Sequence, residues 1–175
     1  MEDLRYPVGR FEWEIEPAPS DRARAIEDIA ALPVGLRAVV AGMSEEQLAT
    51  PYRPGGWTVR QVVHHLADSH VNAFVRLRLT LTETEPAIKT YDQAAWCELA
   101  DAIEGPIEPS LKLLDGLQER WAILLRSMRD ADFRRRFRHP ERGPMDLDTV
   151  TRLYAWHGRH HVAHIDSLRK RMSWR

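Results

Sequence analysis

Four stretches of the chain repeat apolar residues every three or four positions, the period of a helix with one buried face. The first runs through Ile26, Ile29 and Ala30 and then Leu36, Val39, Val40 and Met43, with Ser20 placed to cap its start. Pro33 is expected to bend or restart it, because proline removes an N–H and crowds the preceding turn. Ser44 and Gln47 have the reciprocal spacing of a further short helical turn, and TPYRPGG (50–56) reads as a loop. The second helix has the clearest start. Thr58 and Gln61 form a capping box, Trp57 and Val62 a candidate hydrophobic staple, and Val59, Val62, Val63, Leu66, Ala73, Leu77 and Leu81 follow at helical spacing. A third helix is expected from about Ser110, burying Leu111, Leu114, Leu117, Trp121, Leu124, Leu125 and Met128, and a last one from about Asp148 to Met172. Residues 84–109 read as a long surface excursion with a short helix near Asp92–Leu99. FRHPERGPMD (137–146) reads as a loop, and residues 1–19 as an extended arm. No stretch reads as a strand. An antiparallel four-helix bundle is the simplest all-α solution for four such stripes.

Composition narrows the class. The chain has 175 residues, 43% hydrophobic and 29% charged, which fits a single globular domain over 1–175. A net charge of -1 argues against a nucleic-acid partner, and the run Arg134-Arg135-Arg136 is flanked by Asp130, Asp132 and Glu141, so it reads as a solvated face. The single cysteine, Cys97, excludes an internal disulfide and reads as a packed small hydrophobe. The opening MEDLRYPVGRFEWE has no apolar run of the signal-peptide kind, and no segment approaches a membrane span, so a cytoplasmic location is expected.

The chemistry lies in the histidines. Seven of the eight fall in two tracts, His64, His65 and His70 in QVVHHLADSH, and His157, His160, His161 and His164 in WHGRHHVAHI. Imidazole is the commonest protein ligand for zinc and nickel, and two distant tracts with almost no cysteine suggest three nitrogens and one open position, the catalytic kind of site. On a helical wheel the four late histidines share an arc of about 100° with Val150, Leu153 and Leu168, while Arg152, Arg159 and Lys170 lie opposite. Four imidazoles on a core face bring eight polar nitrogens that need partners, which packing alone does not supply. Both His157/His161 and His160/His164 have the i, i+4 spacing that grips one ion, and periodicity does not choose between them. On the second helix His64 points away, and the wheel leaves His65 and His70 both open.

WTVRQVVHHLADSH followed by YAWHGRHHVAHI, with LRYPVGRF, TPYRPGG, TEPAIKTYD and RKRMSW, resembles the DinB/YfiT-like superfamily along nearly the whole chain, specifically its YfiT group of metal-dependent hydrolases. That resemblance implies His65, eight positions after Trp57, as one ligand, with His157 and His161 as the other two. It also implies a four-helix bundle with a crossover connection, one zinc (or nickel) ion per subunit and a homodimer. Members of the superfamily resemble thiol S-transferases, so the expected function is a hydrolase, or a transferase activating a low-molecular-weight thiol such as bacillithiol for attack on electrophiles. A non-catalytic metal-binding stress-response protein is the alternative. Asp68, Arg76, Tyr154, His160 and His164 are the candidates to bind substrate, move protons or orient a ligand. Arg76 shares the His65 face and suits a thiol's carboxylate, and His164 could also serve as a ligand. No residue is assigned a catalytic role.

Overall fold

The structure is a computed structural model that describes residues 4–13 and 18–174. Four long helices build it: α1 (Pro19–Val40), α3 (Val59–Thr82), α6 (Glu108–Ser127) and α8 (Leu147–Arg171). Short helices α2 (Glu45–Leu48), α4 (Gln93–Cys97), α5 (Ala100–Glu104) and α7 (Asp130–Phe133) sit in the connections. Among the described residues no helix is long and apolar enough to cross a membrane.

The capping boxes form as the residues suggest. The Gln61 N–H donates to Thr58 Oγ1 at 3.1 Å and the Thr58 N–H to Gln61 Oε1 at 2.9 Å. Ser44 and Gln47 make the same exchange at the start of α2. The first helix departs from expectation twice. Its cap is Ala18, whose N–H donates to the Asp21 carboxylate at 3.0 Å, with Pro19 at the first helical position where its missing N–H costs nothing; Ser20 lies inside the first turn. Pro33 neither ends nor restarts the helix. The cost of an interior proline, about 3 kcal/mol, is offset because Leu32, Leu36 and Val40 around it are buried, each such side chain contributing roughly 1.5–3 kcal/mol.

Packing is not that of the simple antiparallel bundle. Helix α1 packs on α6 and α8, and α3 also packs on α6 and α8. One core cluster joins the amino-terminal halves of α1 and α8 (Ile29, Val150) to the carboxy-terminal halves of α3 and α6 (Leu77, Leu125). The other joins the opposite halves, through Leu36, Leu66, Leu114 and Ile165. So α1 and α8 run parallel, α3 and α6 run parallel, and the two pairs oppose each other. Parallel neighbours cannot be joined by a tight turn. The excursion between α3 and α6 is the crossover that returns the chain along the bundle.

The segment read as a loop is a hairpin, β1 (Arg136–His139) against β2 (Gly143–Asp146), with Phe137 opposite Met145. Both of those side chains are buried, whereas their neighbours face outward. Gly143 carries the positive φ of 73° that lets the second strand begin. The crossover pins itself to the hairpin, the Ile88 N–H donating to the Arg138 carbonyl at 3.1 Å and the Arg138 N–H to the Pro86 carbonyl at 2.9 Å. Strands this short carry no readable alternation.

The α3 start is further held by Arg60, buried, which pairs with Glu45 and donates to the Gly105 carbonyl at 2.7 Å. Thr58→Ala should therefore lower stability by about 1 kcal/mol and the melting temperature by roughly 2–4 °C, with Thr58→Ser close to the parent, as read by thermal unfolding.

Candidate metal centre

The middle of the bundle, where the two apolar clusters meet, is occupied by imidazoles. Helix α3 brings in His65 and α8, running antiparallel to it, brings in His157 and His161 one turn apart. His65 Nε2 and His157 Nε2 are 3.2 Å apart, and one nitrogen from each of the three rings lies within 4.8 Å of the other two. Tetrahedral zinc with Zn–N near 2.0–2.1 Å spaces its nitrogens by about 3.3 Å, so the donor set fits such an ion without rearranging the helices. His65 and His161 are buried and His157 is partly exposed. Burial lowers the His65 ring to about 4. Burial, and then the neighbouring imidazoles, hold His157 and His161 well below the usual range. The rings are thus neutral at physiological pH, the form that carries a lone pair for a metal.

Each remaining histidine has a distinct setting. His164 is buried, stacks on Tyr52 at 4.0 Å, and places Nε2 3.2 Å from the Arg5 carbonyl and Nδ1 3.4 Å from His161 Nδ1. A carbonyl only accepts, so His164 carries its hydrogen on Nε2, its Nδ1 accepts from the His161 Nδ1–H, and the His161 Nε2 lone pair is left for the centre. His160 stacks on Trp156 at 4.4 Å, and its Nδ1 is buried without a hydrogen-bond partner among the described residues. His64 is turned to the other side, against Ser110 Oγ at 2.8 Å. His70 is fully buried, 3.4 Å from His157 Nδ1 and 2.6 Å from the Gln118 side chain. His139 lies in the hairpin, where its Nδ1 accepts from the Glu141 N–H at 3.2 Å.

The centre opens on a cavity of about 910 Å³. Trp57 closes one side, its ring 4.6 Å from His65, and the described part of the amino-terminal arm closes another. The arm is tied down by the Trp156 Nε1–H, which donates to the Gly9 carbonyl at 3.2 Å. Arg10, lying over Tyr6 at 4.1 Å, Arg142, over Trp13 at 4.5 Å, and Arg76 line the same cavity. Arg76 donates to the Lys89 carbonyl at 2.9 Å. Tyr154 lines the cavity too, and burial raises its phenol above the usual value even though Arg76 and Ser69 act against the shift. Tyr154 therefore stays a hydrogen-bond donor.

Of the five candidates, Arg76, Tyr154 and His160 line the cavity, and Asp68 and His164 do not. Asp68 lies near Asp101, His64, Cys97 and the cavity-lining Tyr91, and burial, then Asp101, raises its carboxyl. It sits close to His64 on the α3 face that looks away from the centre. Trp57 packs against the core cluster that contains Val62, as the staple reading suggested, and also lies against His65 and His161. Sequence reasoning missed Gln118 and Ser69. Gln118 could have been found, since it falls on the buried α6 stripe four positions after Leu114 and three before Trp121. Cys97 is buried away from the cavity, its thiol pushed up to about 12 mainly by that burial.

Comparison with known proteins gives the arrangement its lineage. The model of the DinB superfamily matches residues 22–165. The chain belongs to the DinB superfamily. Within it, a Geobacillus thermodenitrificans protein named "Putative metal-dependent hydrolase" is 52% identical, covering 99% of this chain and 98% of its own length. A Bacillus mycoides relative bearing the same description is 47% identical over 99% of this chain and its own full length. The solved structure of YfiT from Bacillus subtilis, described as a probable metal-dependent hydrolase with an unusual four-helix bundle topology, superposes with a TM-score of 0.95 at 44% identity. It covers 98% of this chain and 99% of YfiT. This DinB member therefore shares the four-helix architecture of YfiT, including the paired parallel helices that bring α3 and α8 together.

Acid should unfold the metal-free protein through these histidines. In the unfolded chain they take protons near pH 6.5, whereas the folded protein holds His65 and His164 to about 4 and His70 to about 3. Between those limits the unfolded state binds more protons, so stability falls as pH drops from about 6.5 towards 4 and is level above 7. Urea midpoints of chelator-treated protein at pH 7.5, 6 and 5 should decrease in that order. A midpoint unchanged down to pH 5 contradicts the burial of neutral imidazoles.

Proposed function

We propose that His65, His157 and His161 hold one divalent ion, zinc or nickel, in each subunit of a homodimeric cytoplasmic enzyme, and that the site activates a small thiol for attack on an electrophile. The observation that carries this reading is the convergence of three neutral, inward-facing imidazole nitrogens, with no cysteine or carboxylate among them, on the wall of a cavity large enough for a substrate. When bound, such an ion supplies a Lewis acid with an exchangeable position, which acidifies a water or a thiol placed there.

The chain's own residues favour the thiol. An anionic thiol carrying a carboxylate meets Arg76, fixed on the Lys89 carbonyl, and the stacked guanidinium of Arg10. The rings of Tyr6, Phe11 and Trp156 give an apolar wall for the electrophile. Tyr154 offers a phenolic donor to a developing negative charge. A hydrolase needs a base to manage the proton of water, and the two acids on the cavity wall are poorly suited: Asp92 accepts from the Ala94 and Ala95 N–H groups as the α4 cap, and Glu141 is exposed at the hairpin turn, which leaves that task to the His160 imidazole on the same wall. Thiol-independent hydrolysis is the second reading, favoured by the description that the curated relatives carry.

Single substitutions His65→Ala, His157→Ala and His161→Ala should each abolish stoichiometric zinc or nickel binding, measured by elemental analysis after dialysis, while His64→Ala and His139→Ala keep it. Full occupancy in His157→Ala would move the pair to His160/His164. Turnover of a chlorinated aromatic electrophile should require a low-molecular-weight thiol and vanish on chelation, and Arg76→Ala should raise the KM for a carboxylate-bearing thiol by about tenfold, the weight of one charge-assisted contact. Ester or amide hydrolysis that needs no thiol and is lost in His65→Ala would establish the second reading instead. Metal-replete protein with neither activity would favour a metal-binding stress-response protein without turnover.

A further inference from the structure

A glutamine with no accessible surface, Gln118, sits on the apolar stripe of α6 between Leu114 and Trp121. Its only hydrogen bond among the described residues is to His70 Nδ1, at 2.6 Å, and the other end of its amide has no partner. Burying an amide that is half satisfied is unfavourable. The residue it touches has one further polar contact: His70 Nε2 lies 3.4 Å from His157 Nδ1. His157 in turn presents Nε2 to His65 Nε2 at 3.2 Å. Four polar groups thus form one line from the interior of α6 to the centre, walled by Trp121 and Tyr154, whose rings lie 5.7 and 5.2 Å from that of His70.

A line of neutral imidazoles has only two hydrogen arrangements, because each ring donates at one nitrogen and accepts at the other. In one, the Gln118 amide NH₂ donates to His70 Nδ1, His70 Nε2–H donates to His157 Nδ1, and His157 carries its remaining hydrogen on Nε2. That hydrogen then points at His65, and the lone pair needed by a metal is gone. In the other, a half-turn of the amide, whose two ends have the same shape, presents Oε1 to His70. His70 Nδ1–H donates to Oε1, His70 Nε2 accepts from the His157 Nδ1–H, and the His157 Nε2 lone pair faces the centre. The neighbouring ligand is already held in this sense, since the Arg5 carbonyl allows His164 only to accept from the His161 Nδ1–H.

We infer that Gln118 and His70 are positioning residues that hold His157 as its Nδ1–H tautomer, before any metal arrives, so that Nε2 is free to ligate. This rests on the three-histidine reading of the centre. It gives a role to His70, whose place on the wheel made it a rival ligand to His65. Partners of this kind fix ring orientation and raise ligand basicity, and their loss typically weakens metal binding by 10- to 100-fold.

The test uses full-length parent, Gln118→Leu and Gln118→Glu proteins, with two readouts. Imidazole ¹⁵N spectra of the metal-free parent should show His70 and His157 each protonated at Nδ1 and bare at Nε2. Zinc affinity, by competition with a chromophoric chelator at a pH where the introduced carboxyl is ionised, should fall by ~10- to 100-fold in Gln118→Leu and stay within about threefold of the parent in Gln118→Glu, whose ionised carboxylate only accepts from His70. His70 protonated at Nε2 in the metal-free parent overturns the inference, as does a folded Gln118→Leu protein that binds zinc as tightly as the parent. Should either variant fail to show a cooperative melt, the parent spectrum decides alone. A parent that binds no zinc at all would instead sink the three-histidine reading, while its spectrum still decides the direction of the line.

Discussion

An imidazole carries two nitrogens, and burying it obliges the protein to find something for both. This chain buries His64, His65, His70, His160, His161 and His164 and half-buries His157 in the centre of a bundle whose other interior positions are nearly all apolar. The fold answers that obligation by sorting the rings. Those whose outer nitrogen meets a carbonyl, a hydroxyl or an amide become fixed supports, as His164 does on Arg5 and His64 does on Ser110. Those whose free nitrogens meet one another, His65, His157 and His161, have no partner among the described residues that satisfies all three lone pairs. A cation is the chemically apt one.

Much of the rest of the structure follows from bringing those three nitrogens together. Helix α3 must meet α8 antiparallel at mid-bundle, which is achieved with α3 parallel to α6 and α8 parallel to α1. That arrangement demands a long crossover, and the crossover supplies Lys89, which fixes Arg76, and Tyr91, while the hairpin it pins supplies Arg142. The cavity is therefore a consequence of the connections as much as of the helices. The amino-terminal arm adds a second layer: the same segment that lends the Arg5 carbonyl to His164 lays Tyr6, Arg10 and Phe11 over the opening. The support behind His161 and the opening of the cavity are coupled through those few residues.

The helices and their stripes were legible because burial repeats with the helical period, and the starts of α2 and α3 because a capping box leaves a spaced pair in the sequence. The core-facing direction of the late histidines was legible from the wheel for the same reason. What periodicity could not decide was which histidines meet, because the wheel left both His65 and His70 open and the i, i+4 pair repeats three positions on. That choice came through the likeness to a known family, and the geometry now brings His65, His157 and His161 within reach of one another. The parallel pairing of helices was legible only as the crossover connection that the likeness implied; the four-residue strands and the facing of Asp68 were not legible, since each depends on contacts between segments distant in the chain. Gln118 was visible as a letter out of place but had no meaning until His70 was found beside it.

The most direct measurement is X-ray absorption at the zinc edge of the metal-loaded protein, which reads the donor set without reference to activity. The account predicts three imidazole nitrogens at about 2.0–2.1 Å with at least one further oxygen, displaced by sulfur at about 2.3 Å when a small thiol is added. A closed set of four imidazoles, or a spectrum with fewer than three, would contradict an open centre built from His65, His157 and His161.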